Sequence, residues 1–263
     1  MTNIKRQLLS GVFYTAVARY SSIIISLVVS AVLARLLSPS DFGLIAVATI
    51  FIVFFNIFSD LGIGAAIVQK KDLSDDDISH IYSFSVWLGI GLAVLFFLLS
   101  SLVAHWYGEA SLQLIFRILS INLLFSTWNG VPEALLRKGK HFRFIALRTL
   151  IIQFVLGGIS CMAAYNGLGI YALLINPVFG SLFIFLVNYR ETPVRFRLRI
   201  RKNPLMHIFS YSVYQFLFTF INYFSRNLDK LLIGKFLGVH LLGLYEKSYL
   251  RMLFPLQNIT HVA

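Results

Sequence analysis

The sequence predicts an all-α polytopic membrane protein, and three observations carry that prediction. The chain is 58% hydrophobic and 13% charged, with a mean hydropathy of +0.78, whereas a soluble domain carries about 25% charged residues. Its apolar residues fall in uninterrupted runs of about twenty, the length a helix needs to cross the bilayer's hydrocarbon core. Continuous runs, rather than period-two alternation, also argue against a transmembrane β-barrel. Lysine and arginine crowd into alternate connecting segments, the charge pattern of a chain that crosses a bilayer repeatedly.

Eight spans follow in order. Span 1 covers residues 9–37. Lys5 and Arg6 precede an apolar stretch too long for the core of a cleaved signal, so it reads as a signal anchor. Ser38-Pro39-Ser40-Asp41 is a tight turn and a helix start. Span 2, residues 42–68, holds Asn56 and Asp60, then Gly62 and Gly64, which permit close helix contact. Ser74 is expected to cap span 3, residues 81–103, and Asp75, Asp76 and Asp77 suit a helix N-terminus.

His105-Trp106-Tyr107-Gly108-Glu109 is a short aromatic segment of the kind found at a membrane interface. Span 4, residues 112–136, contains Arg117, Asn122, Trp128 and Asn129, with Pro132 late in it. A basic segment over residues 137–143 leads to span 5, residues 144–165. The single cysteine, Cys161, lies there and reads as a small core residue without a disulfide. Span 6, residues 168–189, reads as interrupted at Asn176-Pro177.

A basic connector over residues 190–204 precedes span 7, about residues 207–236, and an eighth span begins near Leu242. The organisation expected is therefore a complete six-helix N-terminal bundle (1–189), the connector, and the first two helices of a second bundle (205–263). Within the connector, residues 194–202 alternate basic with apolar side chains. As a strand they would present two faces, suited to a strap on anionic headgroups.

Span 7 carries a second pattern. Tyr211, Gln215, Thr219, Asn222, Arg226 and Lys230 recur at steps of three and four, which places them on one helical face. Asp229 lies beside them. A charge near the bilayer centre costs about 2.5–3.5 kcal/mol even on the mildest scale. Such a stripe belongs against other helices or a wet cavity. Span 1 carries a weaker version in Thr15, Arg19, Ser22, Ser26 and Ser30, in register at a separation of 200 residues. Leu37/Leu237, Gly43/Gly243 and Leu44/Leu244 are identical, and Arg35/Lys235 is a like-for-like pair. This is the signature of a duplicated membrane protein, an architecture in which transporters place substrate between the repeats.

With a cytoplasmic N-terminus, fifteen basic residues fall on the cytoplasmic side, Arg148 among them, and only Arg35 and Lys235 on the other. That asymmetry obeys the positive-inside rule. It accounts for the net charge of +12 without nucleic acid, for which there is no soluble basic module. The six histidines have no metal-ligand spacing, and no phosphate-binding loop or nucleophile elbow occurs. No enzymatic activity and no cofactor are expected.

Several stretches then resemble one family. They are Arg35-Leu36-Leu37-Ser38-Pro39-Ser40-Asp41-Phe42-Gly43-Leu44, the run from Asp60-Leu61-Gly62-Ile63-Gly64 to Gln69, Ala134-Leu135-Leu136-Arg137 with Phe142-Arg143-Phe144, and Arg226-Asn227-Leu228-Asp229-Lys230-Leu231-Leu232-Ile233-Gly234. In order and spacing they are similar to Wzx-like, WzxC-type bacterial polysaccharide flippases of the multidrug/oligosaccharidyl-lipid/polysaccharide exporter superfamily. The resemblance implies two pseudo-symmetric bundles in a fold of twelve to fourteen helices, of which this chain holds about eight. It implies alternating access in the bacterial inner membrane, moving an undecaprenyl-diphosphate-linked oligosaccharide between leaflets. Beyond that substrate and the bilayer, polysaccharide-assembly proteins are the partners it suggests.

A diphosphate needs cations in a wet cavity, and arginine suits phosphate through its planar fork of donors. Arg19, Arg226 and Lys230 are the candidates, with Asn222 and Gln215 beside them. The competing reading pairs Arg226 with Asp229 or Asp60 as a helix lock, and lets Arg19 snorkel to the headgroups. Lys247 and Arg251 form a further basic pair that would extend the cavity. Asn56, Asn122, Asn129 and Gln153 read first as interhelical hydrogen-bond partners. Pro132, Pro177 and Pro255 read as kinks, with a hinge role as the alternative.

Three other functions compete. A cation-coupled drug exporter of the same superfamily resembles its relatives in using an acidic residue in the first bundle. Here span 1 carries Arg19 and no carboxylate, which favours an anionic substrate. A membrane glycan polymerase or ligase needs a large external loop, and the outward loops here are short. The third is a non-transporting remnant.

Overall fold

Ser38 and Asp41 set the first boundary. The Ser38 hydroxyl accepts from the Asp41 amide at 3.3 Å, and the Asp41 carboxylate accepts from the Ser38 amide at 3.0 Å. This capping box, with Pro39 at the first helical position, ends α1 (Thr2–Leu36) and starts α2 (Pro39–Asp60). The computed structural model describes residues 2–70, 73–198, 201–246, 248 and 249, and the side chains among them except those of residues 2–18, 202–213 and 215. Lys247, Arg251 and Pro255 thus lie outside the described residues, and Gln215 and Tyr211 are described in backbone only.

Span 2 is not the single helix expected over 42–68. The chain turns left-handed at Leu61 (φ 39) and Gly62 (φ 68), and α3 (Ile63–Gln69) begins afresh. Glycine adopts that conformation without a Cβ penalty. The Asp60 carboxylate accepts from the Gly64 amide, placing negative charge at the new helix's start. Gly62 therefore breaks the span rather than tightening a helix contact.

Ser74 caps α4 (Asp75–Tyr107) as expected, in a second capping box with Asp77 at 3.1 Å each way. The aspartates lie inside the first helical turn, so α4 starts earlier than the apolar run alone indicates. Gly108 (φ 72) closes it in a left-handed cap. α5 (Ser111–Lys138) and α7 (Tyr171–Glu191) both run unbroken through a proline, so the interruption expected at Asn176-Pro177 is absent. A neighbouring helix bonds each proline's carbonyl. Thr192 Oγ1 donates to Pro132 at 3.3 Å, and Asn122 Nδ2 donates to Pro177 at 2.7 Å. Between α5 and α7 runs α6 (Phe142–Tyr165).

The basic connector is irregular rather than a strand over its described residues. Val194 is buried with Ile67, Ile81 and Tyr82, and the Arg197 amide donates to Ser83 Oγ at 2.8 Å. Arg197 and Arg201 both pair with Asp76 in the first turn of α4, at 2.5 and 3.3 Å. The strap is thus tied to the first bundle. α8 (Lys202–Leu232) follows, passes through a π turn (Ile233–Leu237) and ends at Gly238. A further helical segment covers residues 239–246.

Six helical spans among the described residues are long and apolar enough to cross a membrane, the broken α2–α3 pair counting as one. The protein is an all-α polytopic membrane protein. α5 is the central helix, packed on α2, α3, α4 and α7, while α1 lies on α6 and α6 on α7. Phe96 and Phe116 stack at 4.7 Å in the core, and Leu112, Ile115 and Leu123 are fully buried. α8 rests on α2 through Phe54, Phe58, Phe216, Phe220 and Tyr223, whose hydroxyl donates to the Ile50 carbonyl at 2.8 Å. Arg148 corrects the charge count: only 8% exposed, it sits inside the bundle and leaves fourteen basic residues on the side assigned to the cytoplasm.

Candidate polar cavity in the first bundle

Membrane helices hide their polar side chains from lipid, and here those side chains line neighbouring, partly open hollows that share lining residues. The first, about 350 Å³, lies between α5, α6 and α7 and is lined by Asn122, Ser126, Asn129, Thr149, Gln153, Asn176 and Ser181. Through Gln153 and Asn176 it adjoins a hollow of about 140 Å³ against Ser26 and Ser30 of α1. Through Ser126 it adjoins another of about 200 Å³, bounded by Asn56, Ser59, Asp60, Ser85 and Thr127. Asp60 also borders two further hollows. One, about 300 Å³, reaches Phe216 and Thr219 of α8. The other, about 520 Å³, reaches Glu133 and Arg137.

One charged group anchors this interior. Arg148 Nη1 donates to Glu133 Oε2 at 3.1 Å and to Asn188 Oδ1. Asn188, fully buried, donates through Nδ2 to Glu133 Oε2 at 2.9 Å and to Asn129 Oδ1 at 2.7 Å. Arg137, far more exposed, adds a contact of 3.0 Å to the other carboxylate oxygen. The network ties α5, α6 and α7 together and leaves the buried charges balanced. Taking one partner away would strand a charge in a medium of low dielectric.

Sequence reasoning missed this network. Its signal was present: an acid in one apolar run, a base in the next, an amide in a third. Ionisable groups at that depth pair with one another.

The two polar stripes take different places. On α1, the Ser22 carbonyl accepts from Gln153 Nε2 at 3.0 Å, and Ser26 and Ser30 line the hollow with Gln153 and Asn176. Ser22 thus sits against α6, while Ser26 and Ser30 are exposed at the hollow's edge. Arg19 is exposed midway along α1. On α8, Thr219 borders the hollow with Asn56 and Asp60, and Asn222 Nδ2 donates back to the Phe218 carbonyl at 3.0 Å. Arg226 is exposed and has no ion pair among the described residues.

Lys230 is half-buried, bound to Glu246 at 2.7 Å and set 4.7 Å from the centre of the Tyr249 ring. Asp229 accepts from the Tyr245 hydroxyl at 2.6 Å. Neither Asp229 nor Asp60 pairs with Arg226. The lock runs instead from α8 to the segment after residue 238, through Tyr245 and Glu246, two residues the sequence reading did not single out.

This arrangement lines a bundle of membrane-length helices with amide and hydroxyl groups and pairs its buried charge between Glu133 and Arg148. The chain is similar to proteins named for polysaccharide biosynthesis and transport. The chain is 28% identical to the teichuronic acid biosynthesis protein TuaB of Bacillus subtilis (strain 168), over 100% of this chain and 55% of the relative. It is 28% identical to the lipopolysaccharide biosynthesis protein WzxC of Escherichia coli (strain K12), over 94% of this chain and 51% of the relative. With the succinoglycan biosynthesis transport protein ExoT of Rhizobium meliloti (strain 1021) it shares 25% identity over 54% of this chain and 29% of the relative. The chain thus spans about half the length of the first two relatives. No solved structure matches it significantly. The family described as polysaccharide biosynthesis protein matches residues 32–263, and the chain belongs to that family.

Proposed function

We propose that this chain is the N-terminal part of a flippase that carries an undecaprenyl-diphosphate-linked oligosaccharide across the bacterial inner membrane. The observation that carries the reading is the series of polar hollows inside a bundle of membrane-length helices. Moving a glycan and a diphosphate through about 30 Å of hydrocarbon requires such a wet path. The names of its relatives, which join polysaccharide biosynthesis to transport, support the same reading.

In this reading residues 1–189 form one lobe and a second begins at residue 205, the two moving against each other in alternating access. The N-terminus is cytoplasmic. The diphosphate is held by Arg226 and Arg19, with Asn222 and Gln215 alongside, and by Lys230 when Glu246 releases it. Arg226 is the strongest of these because it is exposed and unpaired among the described residues. One observation favours a second reading: Asp60 borders three hollows and gives a cation-coupled exporter the acid it needs in the first bundle.

Complementation of a flippase-deficient strain by the full-length gene tests the proposal. Arg226→Ala and Arg19→Ala are expected to abolish surface polysaccharide while the protein still inserts. Normal export by both variants removes these arginines from the mechanism, and failure of the full-length gene to complement removes the flippase reading.

A further inference from the structure

None of the side chains lining the hollow between α5, α6 and α7 is ionisable, a property it shares with the smaller hollow beside α1 and not with the three that Asp60 borders. Seven amide or hydroxyl side chains surround it, with Ile152, Pro177, Gly180 and Ile184 between them. Each amide that has a protein partner spends one half on it. Asn122 gives Nδ2 to the Pro177 carbonyl, Gln153 gives Nε2 to the Ser22 carbonyl, and Asn129 accepts through Oδ1 from Asn188. Asn122 Oδ1 and Gln153 Oε1 are left as acceptors, Asn129 Nδ2 as a donor. Asn176 forms no hydrogen bond with a described residue, so its whole carboxamide is available.

Those groups sort ligands by class. A phosphate would find few donors and no cation, although phosphate recognition favours charge-assisted bonds. An alkyl chain would bury amides without partners, each at a cost of one unmade hydrogen bond. A sugar ring, whose hydroxyls both donate and accept, satisfies the mixed set. At about 350 Å³ the hollow holds one ring with some water.

We propose that this hollow binds one neutral sugar ring of the transported glycan, apart from the cations that hold the diphosphate. The assignment rests on the flippase reading. It divides recognition between an uncharged subsite in the first bundle and a basic edge on α8.

The test uses the full-length protein with its native cysteines replaced and a reporter cysteine at Ile184, or at Ile152 should the first variant misfold. The reporter is labelled in membrane vesicles by a small hydrophilic thiol reagent. The probe is the oligosaccharide repeat released from the host strain's own surface polysaccharide, and inorganic pyrophosphate is the comparison. Labelling is expected to proceed without probe, to slow several-fold with the oligosaccharide, and to be unaffected by pyrophosphate. Asn176→Leu is expected to abolish the protection while the uninhibited labelling rate persists.

A reporter that stays unreactive in the folded protein, equal protection by pyrophosphate, or full protection in Asn176→Leu overturns the proposal. Protection is read without transport, so the two readings fail separately. Complementation without protection removes this subsite alone, and protection without complementation removes the flippase reading alone.

Discussion

Gly43 lies against the main-chain carbonyl of Val239, and Gly243 lies against that of Pro39. The contact is reciprocal: each glycine meets the residue four positions before the other. Gly43 and Gly243 also stand 200 positions apart, the same interval that relates the two polar stripes. At both positions an added Cβ would overlap a backbone carbonyl, which cannot rotate away as a side chain can. Close backbone approach through small residues is how membrane helices gain packing where lipid offers no hydrophobic driving force.

Gly43→Ala and Gly243→Ala are each expected to destabilise the full-length protein by about 1–3 kcal/mol, the usual range for overpacking. Gly158→Ala is the control, because nothing lies within 4 Å of its added methyl. The two alanines relieve one another once the segments have separated, so the double variant is expected to cost less than the sum. Thermal unfolding of the purified protein in detergent checks this, and strict additivity would show that the two contacts are independent.

The recurrence of Gly43 at Gly243 and the capping of α4 by Ser74 were both legible in the sequence, the first as a repeat at a fixed interval and the second in neighbouring residues. The break at Leu61-Gly62 was not. The same glycines serve tight packing or a left-handed turn, and only the Asp60–Gly64 contact decides between them. α7 runs unbroken through Pro177, and the Pro177 carbonyl accepts from Asn122, 55 positions away. No local pattern encodes that partner. The α8 stripe was read from residues within one helix, yet Glu246 and Tyr245, which hold Lys230 and Asp229, sit 16 residues further on. Their role depends on how the chain reverses at Gly238.

The Glu133–Arg148 pair separates structural charge from surface charge. Arg148 is 6% exposed in its side chain and Glu133 18%, so losing one partner strands the other. Glu133→Gln or Arg148→Leu is expected to cost about 3–5 kcal/mol. Arg137 contacts the same carboxylate but its side chain is 59% exposed, and Arg137→Ala is expected to cost less than about 1 kcal/mol. Glu133→Leu combined with Arg148→Met should recover most of the loss, leaving Asn188 bonded to Asn129. The fraction of each variant recovered as a monodisperse species in mild detergent measures the order. Equal recovery of Arg137→Ala and Arg148→Leu would contradict it.

Asp76 fastens the connector. It pairs with Arg197 and Arg201, and His80 Nε2 lies 3.5 Å from its carboxylate. Asp76→Asn is expected to free the strap and raise trypsin cleavage around Arg195 and Arg197 several-fold. High salt should do the same to the unaltered protein, because Arg197 and Arg201 are exposed partners whose pairing salt screens. Cleavage is expected in inverted membrane vesicles and not in right-side-out ones, which tests the assigned orientation in the same assay. An unchanged cleavage rate in Asp76→Asn would mean that Val194 and the Arg197–Ser83 contact alone retain the strap.

Lys230 has two roles open to it, and its partner Glu246 distinguishes them. With side chains 12% and 21% exposed, the pair spans α8 and the segment after Gly238. Lys230→Gln and Glu246→Gln are each expected to lower stability, with a coupling energy of about 0.5–3 kcal/mol in a double-mutant cycle. Export then separates structure from substrate contact. If Lys230 serves only to satisfy Glu246, the double variant should export nearly normally, since no charge is left stranded. If Lys230 holds the diphosphate once Glu246 releases it, the double variant stays defective, while Glu246→Gln alone retains a cation and exports. The flippase reading predicts the second pattern, measured as surface polysaccharide in the complemented strain at equal protein level.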